Sequence, residues 1–140
     1  MRESKYRAWI KNADKMVDVI AIDLEKEEIC WIFDDYVNWE QERVWIGFDD
    51  IALMQYTGLK DKSGIEIYEG DIVSNREFAR YLSGQERCSN DVGIVRYDTK
   101  SGCLVINNDN GRTKRLTVKV IKNNRVKVLG NIYENPELMV

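Results

Sequence analysis

At 140 residues, with 44% hydrophobic and 32% charged residues, the chain has the size and composition of one soluble domain. Its net charge is only −3, it has no histidine, and its three cysteines (Cys30, Cys88, Cys103) stand far apart, which excludes His-containing zinc sites, Ser-His-Asp triads and Cys-His dyads. No apolar run approaches the ~20 residues of a membrane helix, and the opening MRESKYRAWIKNADKM has no apolar signal core, so a cytoplasmic location is expected.

In chain order, Tyr6, Ala8 and Ile10 alternate with Arg7, Trp9 and Lys11, the period of a strand, and NADKM reads as a turn. VDVIAIDL places Val17, Val19 and Ala21 on one face and Ile20, Ile22 and Leu24 on the other, as in a strand covered on both sides for part of its length. ICWIF and VWIGF are strands, rich in β-branched and aromatic residues. Between them Asp34 to Arg43, DDYVNWEQER, reads as either a loop or a helical turn, and FDDIALM opens as a short helical turn.

QYTGLKDKSGIEIYEGDIV is dense in turn residues. Gly58 calls for a positive φ or a close backbone contact, DKSG (Asp61 to Gly64) is a turn with Asp first and Gly last, and EGD is a second turn. Asp61, Glu66, Glu69 and Asp71 have the residue types of a metal or acid/base cluster. They lack the spacing of a calcium loop, and a structural role is expected for them. NREFARYLSG then predicts a helix over Asn75 to Gly84, with Asn75 as cap, Phe78, Tyr81 and Leu82 on one stripe, and Gly84 as the C-terminal stop. Each cysteine is expected as a small buried apolar residue.

VGIVRYD and GCLVIN are strands joined by TKSG, and NDNG is a further hairpin signal. RLTVKVI predicts a strand with Leu116, Val118 and Val120 inward, and RVKVLGNIY one with Val126 and Val128 inward. The sum of eight to ten short strands and one inserted helix predicts a mainly β, β-rich α+β fold of small curved sheets or a barrel, with an SH3-like rhythm in the second half. One domain over 1–140 is expected, with an acidic lobe over 1–55 and a barrel-like lobe over 56–140.

LMQYTGLKDKSGIEIYEGDIV, VLGNIYENPEL and the opening KYRAWIKNADKM resemble the YopX family of phage and prophage proteins. These pieces span nearly the whole chain, and the middle, about Ser74 to Asn90, departs from the pattern. The resemblance implies a small accessory protein of phages that infect bacteria, working in the host cytoplasm. It implies no activity, so Tyr56, Gly58, Gly70, Asp71, Gly130 and Asn131 transfer as markers of the fold.

Charge is unevenly spread. Asp14 to Asp50 holds twelve acids against three bases, whereas Asn110 to Val128 holds seven bases and no acid. No catalytic, metal or cofactor constellation stands out. The expectation is a non-enzymatic protein that binds a host or phage macromolecule. One alternative is nucleic-acid binding through a basic hairpin bearing Arg112, Lys114, Arg115, Lys119, Arg125 and Lys127. Another is capture of a small anion, such as a nucleotide signal, by Arg76 and Arg80 beside Phe78 and Tyr81, with Arg112 or Arg115. Of the four tryptophans, Trp9 and Trp31 are expected in the core. Trp39, in a polar setting with Tyr36, is the candidate interface anchor, for a partner or for a homo-oligomer.

Overall fold

The computed structural model describes residues 3–80, 86–108, 111 and 113–139, with backbone alone for 76–80 and 86–91. The chain divides into two compact units, Met1–Tyr56 and Thr57–Val140. The protein is mainly β, with a sheet curled into a half-barrel.

In the first unit, β1 (Tyr6–Ile10) lies between β2 (Lys15–Asp18) and the first part of β6 (Ile51–Lys60), antiparallel to both. A second sheet orders β3 (Ala21–Asp23), β4 (Glu28–Asp35) and β5 (Glu40–Gly47). Ala8, Ile10, Val17, Ile29, Trp31 and Ile51 form one core to which both sheets contribute. VDVIAIDL is not one strand. It breaks after Asp18 because the chain changes partner: Val19 N–H still bonds to Tyr6 C=O beside β1, and Ile20 N–H already bonds to Cys30 C=O of β4. The ambiguous Asp34–Arg43 stretch is the end of a hairpin, and FDDIALM supplies a 3-10 turn (Phe48–Asp50) before β6 begins.

In the second unit, β6 continues beside β7 (Glu66–Tyr68). A five-stranded sheet follows, in the order β11 (Thr113–Arg115), β10 (Cys103–Asn108), β9 (Glu86–Asp98), β8 (Asp71–Arg80), β12 (Lys127–Asn131). Ile67, Val73, Val95, Ile106, Leu116, Ile121 and Val126 are its core. Gly93 lets β9 approach β10, since a Cβ there would overlap Ile106 and the Asn107 backbone.

Two expectations are corrected. Residues 75–80 are extended in β8, not helical, and pair across to β9 from Asn75↔Asp91 to Arg80↔Glu86; residues 81–85 lie outside the described part. The local helix signal yields to a ladder of cross-strand bonds, a non-local gain that propensity cannot register. Conversely, RLTVKVI is not a strand throughout. The one α-helix among the described residues, α1 (Val118–Asn123), lies there. Thr117 caps it, its Oγ1 accepting Val120 N–H at 3.2 Å, and Ile121 with part of Val120 packs into the core. Six residues are too few for an independent helix, so packing holds it.

The turn-rich stretch is a set of fastenings. Asp61 is 5% exposed. Its Oδ1 accepts Ser63 and Ile65 N–H at 2.8 and 2.9 Å, and its Oδ2 accepts Val128 N–H at 2.9 Å. Gly64 closes that turn at φ 86. Asp71 Oδ2 accepts Tyr68 N–H at 2.8 Å across the second turn. Near the C-terminus, Asn131 Oδ1 accepts Tyr133 and Glu134 N–H at 3.0 and 2.8 Å, and a Cβ at Gly130 would overlap the Asn135 side chain. Asp61→Ala strips three backbone donors of their acceptor, and we expect it to destabilise the protein by about 3 kcal/mol in chemical denaturation. Asp61→Asn, which keeps one acceptor oxygen, loses less.

Candidate functional site

The β4–β5 hairpin carries the most exposed aromatic surface of the described residues. At its end Tyr36, Val37 and Trp39 are 75%, 87% and 86% exposed. The end has a defined shape. Asp35 Oδ1 accepts Val37 N–H at 3.0 Å and Asn38 N–H at 3.3 Å, and Asp35 Oδ2 accepts the Asn38 side-chain amide at 2.8 Å. These bonds, led by the Asn38 side chain, hold the Asp35 carboxyl below its ordinary value of 3.8. Trp39 sits at φ 57, so the backbone turns sharply just where its ring is presented.

The apolar tip wears an acidic collar. Asp35 stands opposite Glu40, Phe33 opposite Glu42, and Asp34 opposite Gln41, whose side-chain amide donates to Asp34 at 2.9 Å. Two like charges directly across a ladder weaken it. Below the tip lies a cleft of about 420 Å³, lined by all four residues of β2 together with Ile20, Trp31, Ile32, Asp34, Tyr36 and Gln41. Trp31 meets Phe33 edge to face at 6.1 Å, and Lys15 Nζ lies 4.8 Å from the Trp31 ring centre. Trp31 is 9% exposed and its indole N–H is buried without an acceptor.

The expected site residues are scattered. Lys114 and Arg115 lie in β11, Lys119 in α1, Arg125 in the following turn at φ 49, and Lys127 opens β12. They form no hairpin, because β11 and β12 occupy opposite edges of the five-stranded sheet and pair with β10 and β8. Arg112 lies outside the described residues, and Arg76 and Arg80 fall in β8, where the backbone alone is described. Trp31 is in the core as expected, whereas Trp9 is only half-buried in β1, and Trp39 and Tyr36 stand at the hairpin end. The cleft was not foreseen; its only trace in the sequence is the absence of a turn signal where VDVIAIDL changes partner.

Cys30 is buried, whereas Cys103 is half-buried, so the small-core reading fails for Cys103. Ser101 Oγ lies 3.0 Å from its sulfur and donates to Asp98 Oδ2 at 2.6 Å. The Ser101 hydroxyl first and the Arg115 guanidinium second hold the thiol below its ordinary value of 9.0, against the Asp98 charge. Among the described residues no group of three or more Cys, Asp or Glu is placed to hold a metal ion, and no helix is long and apolar enough to cross a membrane.

No curated protein matches the chain. Among solved structures it is similar to the crystal structure of protein EF1440 from Enterococcus faecalis, at 23% identity and a TM-score of 0.62, with both chains covered in full. At that identity the likeness speaks for the fold alone. The model of the YopX protein family matches residues 5–140. The chain therefore belongs to the YopX family.

Proposed function

We propose that this is a phage or prophage accessory protein that acts without catalysis, in the cytoplasm of the host bacterium, by binding a host or phage protein through the end of the β4–β5 hairpin. Family membership supports the phage-type setting. The observation that carries the binding reading is the exposure of Tyr36, Val37 and Trp39 on a turn hydrogen-bonded to Asp35 through Val37 and Asn38. Aromatic side chains give large contact area for little lost conformational freedom, and Trp and Tyr recur as anchors of interfaces. A turn already fixed by Asp35 lowers the ordering cost of association further. The nucleic-acid reading has less support, because the basic residues are divided between two sheet edges and a short helix.

Affinity capture from infected host cells tests the reading. The wild-type chain should retain a protein at near-equal stoichiometry, and Trp39→Ala should cut its recovery roughly tenfold while leaving thermal stability unchanged. Failure to retain any specific protein would sink it. The fixed turn has its own signature in a carboxylate titration by NMR. Because the folded Asp35 carboxyl sits below its ordinary 3.8, its contribution to the turn is complete above that value and disappears as pH falls through the lower folded value. The Val37 and Asn38 amide shifts should follow the same low-pH step.

A further inference from the structure

We infer that the cleft between β2 and β4 takes an extended, basic segment of a partner protein as an added strand. The inference deepens the proposed function and rests on it for the partner being a protein.

The main chain carries the argument. In an antiparallel ladder, successive residues point their N–H and C=O alternately to the two sides. On β4, Glu27 C=O accepts Phe48 N–H on the β5 side, and Cys30 C=O accepts Ile20 N–H on the other. Odd-numbered residues of β4 therefore face β5, and Ile32 and Asp34 face away from it. β3 reaches only as far as Cys30, so beyond that residue this side of β4 has no strand partner among the described residues. On β2, Val19 N–H bonds to Tyr6 C=O of β1, so Val17 and Lys15 face β1 and Met16 and Asp18 face outward. β2 is the end strand of its sheet. Met16, Asp18, Ile32 and Asp34 all line the one cleft. The fork opened where the chain leaves β1 for β4 thus offers, among the described residues, main chain without a strand partner on both walls.

The side chains select the occupant. Trp31, Ile32 and Ile20 give apolar contacts to alternate side chains. Asp18 and Asp34 line the cleft against a single base, Lys15, and Asp35 and Glu40 stand at the neighbouring hairpin end, so the balance of charge is acidic. An acidic rim around a free strand edge fits a segment in which lysine or arginine alternates with aliphatic residues. Main-chain bonds supply affinity and the alternate side chains specificity. Lys15–Asp18 spans about 13 Å at the usual strand rise of ~3.3 Å per residue, enough for roughly four residues of such a segment.

The test uses the full chain and three fluorescent nine-residue peptides: alternating Lys and Val, alternating Glu and Val, and the Lys/Val peptide with every second amide N-methylated. The Lys/Val peptide should bind at least about tenfold more tightly than the other two. It should slow amide exchange at Ile32 and Asp34, and weaken by a similar factor with Ile20→Lys or Asp18→Lys, both exposed positions that leave the core intact. Absence of binding up to about 1 mM, equal binding of the N-methylated or Glu/Val peptide, or unchanged exchange at both amides would each overturn it. Protection of the same amides on concentrating the chain without peptide would assign the cleft to a second copy, and also overturn it. If Trp39→Ala abolishes capture of a host protein while no peptide binds and Ile20→Lys is without effect, the cleft falls and the accessory function stands.

Discussion

A single carboxylate organises the second unit. Asp61 closes its own turn through Ser63 and Ile65 and, with its second oxygen, holds Val128 N–H, 67 residues further along the chain. A buried carboxylate left without donors would be strongly unfavourable, so the turn after β6 and the strand β12 must form together. Lys62 N–H bonding to Val126 C=O draws the same two segments together, and Ile132 N–H bonding to Gly70 C=O ties the far end of β12 to the next turn. The C-terminal strand is therefore anchored by turns rather than by its own short apolar pattern. The helix α1 fills the space before it, with Ile121 seated in the shared core.

The first unit depends on a different constraint. One stretch of chain serves two sheets: it leaves β1 after Val19 and joins β4 at Ile20. That exchange places Val17 and Ile29 in one core and opens a fork with two unpaired strand edges. Exposed strand edges are hazards that proteins usually blunt with charge, and here Lys15, Asp18 and Asp34 flank the fork. The same charges discourage indiscriminate pairing, and the two acids among them suit a segment of positive charge. The hairpin end beside it, with three exposed apolar residues on a pinned turn, extends the surface. Function in this protein is best sought where pairing stops, since Asp61 and Asp71 of the turn-rich stretch are engaged by the backbone they hold.

Much of this was legible in the residues. Gly58, Gly64 and Gly70 sit at φ 83, 86 and 93, and Asp61 binds its own turn, as the DKSG and EGD patterns require. The exposure of Trp39 followed from its polar neighbours. The mainly β character followed from alternation, and the YopX motifs from their spacing. The failures share a cause. Asn75 to Arg80 has a cap residue and a helical stripe, and forms a strand because β9 lies beside it. Val118 to Asn123 alternates like a strand, and forms a helix because Thr117 caps it and the core accepts Ile121 and Val120 on one side. The basic residues of Lys114 to Lys127 read as one face, and the helix between them sends the flanking strands to opposite sheet edges.

By itself the sequence determined the turns marked by glycine, because such a turn depends on the φ freedom of a glycine and on a side chain bonding to backbone two to four residues away. It likewise determined the β-rich class and the family. Only the tertiary structure decided which strands pair, where the one described helix falls and where pairing is left unfinished at Ile32 and Asp34. Those outcomes rest on contacts between residues far apart in the chain, whose energies exceed the local preferences of any short segment and leave no mark within it.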